Sequence, residues 1–509
     1  MKADVVQILK TSSIAGIFHG LWHIAIQWPA EEQTRAPTKQ SRERHFSSML
    51  AAHDETQICK DLLVLAERNL NDTKPDDTCG WVLDLMSAID GAFSKIHSRS
   101  QSPAGLMSPK AVSSWLKDYR RGRRESGSYL ETKNDRVVLR GPLSKKARAK
   151  DAAYGTNLED WFSNLSVAPV WFELRGRKIS TRMKVFSKSG ISGISKDAAR
   201  AERISVMPLA EKSEELSITS TTRDSKKFAR YEAADPPAVL EHLLALLCAE
   251  EKEGPEIAIA PEFLVDVKTA NAVQERYGDV THPPQVLVCG TGHTEDMKKD
   301  QAWNESRVIN VAGIELWRQR KIWPASIDDI RAKELGLKDP QPGHTHEDNC
   351  SGGELVIADL DDLGRCIIMI CQDFEATSMA EQVIRCYQPD WVFVPILDTS
   401  VDVGRWGHSR AFNLSTLSQA RFVIVSSTAL GDRRKSVTKT AKAPKAPKAP
   451  KAAKAKAVSP FSLLVGPKVG EVEDSRVYRC IEIPEGQATR AVELAWQPKD
   501  AGWKKTTLT

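Results

Sequence analysis

The chain has 509 residues, 41% of them hydrophobic and 27% charged, and 72 Lys and Arg stand against 67 Asp and Glu. That length suits about two to four domains with at least one large core, whereas 29 Gly, 26 Pro and nine Cys exclude collagen-like, wholly disordered and small disulfide-scaffold chains. The cysteines are odd in number, scattered and without a CxxC pair, which predicts a reducing, cytoplasmic setting and no structural zinc module.

Residues 14–28 (IAGIFHGLWHIAIQW) are the most apolar stretch near the start. The stretch is too short to span a bilayer and lacks the basic start and cleavage site of a signal peptide. A buried or interfacial helix is expected, with no membrane span. His19 and His23 stand at i, i+4, but no third ligand is near and no metal is expected. Residues 58–70 and 81–96 repeat apolar side chains at helical spacing, separated by a turn-rich NDTKPDDTCG. Residues 95–150 then carry fifteen Lys and Arg against four Asp and Glu, with Trp115, Tyr119 and Tyr129 interleaved. Such a stretch is usually a solvated face, and with aromatics it is also a candidate nucleic-acid contact. Residues 167–186 alternate like a hairpin and end in a Ser/Gly-rich joint. A boundary is expected there, leaving residues 1–200 as a mixed, partly helical N-terminal domain of unknown role.

From 201 to 509 strands and helices alternate. Apolar runs at 204–209, 257–260, 285–289, 365–371, 391–395 and 422–426 read as strands buried on both faces, and 237–251 and 410–420 as helices. A layered α/β domain follows. A Lys-Ala-Pro-rich insertion at 432–457 interrupts it, with ten basic and no acidic residues over 433–456. Its composition cannot bury a core, so it is expected to be a flexible surface segment, or an electrostatic arm for nucleic acid or an acidic partner.

Three segments place a reactive side chain after a buried run. Glu262 follows IAIAP, Lys321 lies between Trp317 and Trp323, and Cys371 follows CIIMI with Asp373 and Glu375 beyond it. Singly, each has a plain structural reading: an inert strand thiol, a surface lysine, a carboxylate at a helix start. Together they form a coherent nucleophilic set. A thiol needs a base to become thiolate, a carboxylate in an apolar pocket gains the pKa for that task, and an ammonium stabilises the oxyanion that follows.

The order and wording of these segments resemble the carbon–nitrogen hydrolase (nitrilase/amidase) superfamily, whose triad runs Glu-Lys-Cys. Pro261-Glu262, Asn310…Gly313…Arg320-Lys321, Gly364…Ile370-Cys371…Asp373, Trp406…Arg410…Gln419-Ala420-Arg421-Phe422 and Ser462 to Gly470 match its motifs in order. The resemblance covers about 200–509. It implies an α-β-β-α sandwich that commonly forms homo-oligomers, and hydrolysis of an amide or nitrile without metal or cofactor. Cys371 would be the nucleophile, Glu262 the base and Lys321, with the backbone N–H of Gln372, the oxyanion holder, with Asp373 in a supporting role. Relatives often carry a second glutamate some eight residues past the lysine. Here that spacing falls on Asp329, the expected second carboxylate. The stretch GHTHEDNC, with His344, His346, Asp348 and Cys350, reads as part of a solvated insertion.

Two other functions stay open at this point. One is a nitrilase-like binding or regulatory module that contacts nucleic acid through 95–150 and 433–456. Such domains occur fused to other modules, including bacterial defence reverse transcriptases, but residues 1–200 hold no polymerase-type aromatic-x-Asp-Asp motif. The other is an amidase that supplies ammonia to a partner enzyme.

Overall fold

A computed structural model describes residues 1–11, 13–33, 40–52, 54–70, 75–97, 112–143, 158–186, 202–248, 254–298, 300–337, 344–361, 363–415, 417–418, 420–440, 460–468, 476–482, 492–497 and 502–505. The first part is largely helical. Ile14–Ala25 is a helix capped by Ser13, whose side chain accepts from the Gly16 N–H. Glu55–Leu70 buries Ile58, Leu62, Ala66 and Leu70 on one face, as its spacing predicts. The next helix starts earlier than expected, at Pro75 inside the turn-rich stretch. Proline at the first helical position loses no needed N–H, and acidic residues behind it favour the positive helix start. Among the described residues no helix is long and apolar enough to cross a membrane.

The aromatics of the basic stretch lie inside this helical core. Trp115 and Tyr129 are buried, and Phe93 packs edge-on or tilted against Trp115, Tyr119 and Tyr129. Tyr119 donates its hydroxyl to Glu55 Oε1 at 2.6 Å. These rings are therefore not a surface platform for bases.

Beyond it stand a seven-stranded and an eight-stranded sheet. The strands alternate their side chains between two apolar clusters. Trp391, Phe393, Val423 and Val425 join a cluster fed by both sheets, with Ile257, Ile259, Val286 and Val288 from the other side. Their neighbours Val392, Val394, Phe422 and Ile424 face a different cluster, covered by the helices Thr377–Tyr387 and Trp406–Leu414. The seven-stranded sheet is likewise covered outside by Pro236–Cys248 and Val267–Glu275. Burial on both faces is why these runs read as continuously apolar.

The eight-stranded sheet also contains Trp171–Leu174 and Arg177–Phe186, the latter parallel to Glu354–Leu360. Strands from both sides of residue 200 thus share one sheet. The tie is electrostatic as well. Asp359 accepts from Arg123 Nη2 at 3.0 Å and from Arg140, and Arg365 donates to the Arg140 carbonyl. All four side chains are buried. Burial alone would raise the Asp359 pKa, but the guanidiniums of Arg140, Arg123 and Arg365 hold it far below the ordinary carboxylate range. Two arginines of the basic stretch, Arg123 and Arg140, are thus internal counter-ions.

The start of the expected insertion is ordered too. Ala429–Thr440 is a helix, with Arg433 donating to the Leu335 carbonyl and Arg434 paired to Glu334 at 2.9 Å. Residues 441–459 lie outside the described residues.

Asp359→Asn keeps the side chain's shape and strands the buried guanidiniums. Urea unfolding at pH 7 is expected to show a loss of about 3–5 kcal/mol. A loss no larger than about 1 kcal/mol, the size of a surface pair, would contradict this role.

Candidate active site

Four strand ends converge. Glu262 follows Ile257–Ile259, Lys321 follows Glu315–Arg320, Cys371 follows Gly364–Ile368, and Leu397 follows Trp391–Ile396. The first two strands belong to the seven-stranded sheet and the last two to the eight-stranded one. Side chains beyond strand ends are where open α/β sheets place ligands.

Glu262 is fully buried and held from several sides. Its Oε1 accepts from Asn304 Nδ2 and Lys321 Nζ, each at 2.9 Å, and its Oε2 accepts from the Leu397 N–H at 2.9 Å. The turn that carries it is clamped by Gly290-Thr291: the Thr291 N–H donates to the Pro261 carbonyl at 3.1 Å and Thr291 Oγ1 accepts from the Phe263 N–H at 3.0 Å. Gly290 sits at φ +76°, and a Cβ there would strike the Pro261 carbonyl, so this position requires glycine.

Lys321 is also fully buried, with its backbone N–H on the Asn304 carbonyl at 2.8 Å. Its ammonium donates to Glu262 at 2.9 Å and to Glu347 at 2.7 Å. Burial favours the neutral amine, but the two carboxylates prevail and hold its pKa well above 10.5.

Cys371 has φ +47° and ψ −103°, a sparsely populated conformation fixed by its own N–H on the Pro395 carbonyl at 3.0 Å and its carbonyl on the Phe374 N–H at 2.9 Å. Its thiol lies within electrostatic reach of the Glu262 carboxylate and the Lys321 ammonium. Burial and then the Glu262 charge raise the thiol well above 9, against the pull of Lys321. Burial also pushes Glu262 up to about 7, with Lys321 opposing and Glu347 adding to the rise. Thiol and carboxyl are therefore shifted in the same direction, and the resting proton sits on sulfur.

The Gln372 N–H opens the short turn after the thiol, and no acceptor among the described residues takes it. Asp373 is buried beneath. Its carboxylate accepts from the Ile322 N–H at 3.1 Å, the Trp323 N–H at 2.7 Å and the Ile370 N–H at 3.3 Å. It thereby fastens the lysine loop to the cysteine turn.

The second carboxylate is where the sequence expectation needs correcting. Asp329 opens the helix Asp329–Glu334, which Asp328 caps, and the carboxylates that bind Lys321 are Glu262 and Glu347. Glu347 comes from the GHTHEDNC stretch, expected to be a solvated loop. It lies in the strand Thr345–Glu347, which pairs parallel with Lys226–Ala233, and its other oxygen takes the Ala325 N–H at 2.9 Å. Asn304 was missed as well. An Asn in a strand of otherwise ordinary composition carries no sequence signal.

Cys371, Gln372 and Glu347 line a cavity of about 180 Å³. Asp398 stands on its wall, accepting from Trp406 Nε1 at 2.6 Å and from Arg331. Among the described residues no group of three His, Cys, Asp or Glu could hold a metal ion.

No protein-family model and no curated protein matches the sequence. Among solved structures the chain is similar to Saccharomyces cerevisiae Nit3, a member of branch 10 of the nitrilase superfamily, at 14% identity over 45% of this chain and 76% of that one, with a TM-score of 0.32. It is also similar to an amidase from Nesterenkonia sp., at 14% identity over 58% of this chain and 94% of that one, TM-score 0.32. A form of that amidase with the acetamide moiety of fluoroacetamide added covalently at its active-site cysteine matches at 13% identity, 58% and 94%, TM-score 0.34. What this chain is similar to is thus a set of nitrilase-superfamily proteins, and at these TM-scores the likeness carries nothing about chemistry.

Lys321→Met leaves two buried carboxylates facing each other, so it is expected to cost about 3–5 kcal/mol in urea unfolding at pH 7.5. Adding Glu347→Gln relieves part of that repulsion, so the double variant should be the more stable of the two. Strictly additive losses would contradict the ion triad.

Proposed function

We propose that the chain is a thiol hydrolase of non-peptide C–N bonds, acting on a small amide or nitrile through Glu262, Lys321 and Cys371. The observation that carries this reading is the fully buried Lys321 ammonium between two carboxylates, with the Cys371 thiol within electrostatic reach of all three. Such an assembly is costly for a fold to keep and has little purpose in a surface that only binds a partner. The shared apolar cluster between the two sheets and the helices outside them support an α-β-β-α sandwich as its scaffold.

For an amide, the Cys371 sulfur attacks the carbonyl carbon as its proton passes to Glu262. The Lys321 ammonium and the Gln372 N–H hold the oxyanion, a contribution of roughly 3–4 kcal/mol per donor. On collapse the C–N bond breaks, Glu262 returns the proton to nitrogen, and ammonia leaves a thioester on Cys371. Water then attacks the thioester while Glu262 takes its proton. The carboxylic acid departs and sulfur is reprotonated. Glu347 keeps Lys321 charged throughout, so the lysine stabilises charge and donates no proton.

Ammonia release from a panel of small amides and nitriles tests this directly. Cys371→Ala is expected to reduce turnover by at least about 10³-fold, and unchanged turnover would overturn the nucleophile.

The base role has its own signature. Glu262 acts when ionised and its carboxyl sits at about 7, so kcat/KM should rise with pH through neutrality. Lys321, held well above 10.5, adds no limb there. A profile flat from pH 5 to 9 would contradict Glu262 as the base.

A further inference from the structure

One wall of the cavity is a small four-stranded sheet of Ser326–Ile327, Thr345–Glu347, Lys226–Ala233 and Leu216–Arg223. Thr345 is paired with Lys227 and Glu347 with Ala229. With side chains alternating, Thr345, Glu347 and Tyr231 share one face, the buried one in the burial pattern of both strands. All three line the cavity beside Cys371. Tyr231 is 6% exposed, Thr345 3%.

Their hydroxyl groups have no hydrogen-bond partner among the described residues. Neither hydroxyl is sealed from the cavity that it lines, so a ligand there is a natural partner for it. The Tyr231 ring cannot swing away easily, since it packs on Phe263 at 5.4 Å between centroids. Two of the carboxylates on the cavity wall are already matched. Glu347 is taken up by Lys321 and the Ala325 N–H, and Asp398 by Arg331, Trp406 and the Thr399 N–H. An anionic substrate would face these carboxylates, and a cationic one would face Arg331.

We propose that the Tyr231 and Thr345 hydroxyls read a neutral hydroxyl on the acyl side of the substrate, so that small hydroxy-substituted amides are preferred over plain aliphatic or carboxylated ones. A hydroxyl both donates and accepts, as do its two partners, so it satisfies them without adding charge. The cavity beside Cys371, about 180 Å³, suits a small amide. This inference rests on the hydrolase reading for what happens to the ligand, but its test does not.

Dissociation constants are measured by calorimetry on Cys371→Ala protein, which binds without turnover. The probes are isosteric pairs: lactamide and isobutyramide, 3-hydroxypropionamide and butyramide, 4-hydroxybutyramide and pentanamide, with succinamate as the anionic analogue. At least one hydroxy amide is expected to bind about tenfold or more tighter than its methyl isostere, since a site built to hydrogen-bond a hydroxyl rejects the analogue lacking it. That ratio should fall towards one in Tyr231→Phe and independently in Thr345→Val, each checked for an intact melting transition. No preference in any pair, a preference that survives both substitutions, or tighter binding of succinamate would overturn the proposal. Preferential binding by Cys371→Ala with no ammonia released by the native chain would instead sink the hydrolase reading and leave the recognition face standing.

Discussion

The site is organised by one ammonium group buried between two carboxylates. Lys321 has no access to solvent, and an isolated charge there would be untenable. Glu262 and Glu347 make it tenable, and their requirements propagate outward. Glu262 needs Asn304, the Leu397 N–H and the glycine-dependent turn at Gly290 to hold its oxygens. Glu347 needs a strand of its own, and the small four-stranded sheet supplies it. Asp373 then locks the lysine loop to the cysteine turn through three backbone N–H groups. Burial, with Glu347 adding to it and Lys321 opposing, leaves the Glu262 carboxyl at about 7.

The same logic of buried charge joins the first part of the chain to the eight-stranded sheet. Asp359, in a strand of the eight-stranded sheet, is the focus for arginines from the first part of the chain and from the sheet itself. The basic stretch 95–150 is therefore partly spent on internal pairing, and its described aromatics are core. That leaves a more modest electrostatic face than its composition of fifteen cationic residues implies.

Much of this was legible in the residues, for identifiable reasons. Runs such as WVFVP and FVIVS read as strands because both faces of their sheet are buried. Glu262, Lys321 and Cys371 stood out because each follows an apolar run that ends at the site. What escaped notice depended on pairing between distant segments. Glu347 meets Lys321 across 26 residues because its strand pairs with residues 227–229, and no local spacing encodes that register. Asp329 had the spacing expected of the second carboxylate but lies on a helix that starts after the turn. The strand Leu216–Arg223 was invisible because it is an exposed edge, polar on nearly every residue. Trp115 and Tyr119 read as interleaved with charge because they lie on one side of a helix whose other side is basic.

The central claim is that Cys371 forms a covalent acyl intermediate under the control of this ion triad. The most direct measurement mixes the native chain with the amide it turns over best, quenches in acid within the first turnovers, and maps peptides by mass spectrometry. The account predicts an acyl mass increment on the peptide carrying Cys371, removed by hydroxylamine as a thioester should be. Continued turnover with no adduct on that peptide, or with the adduct on another residue, would contradict it.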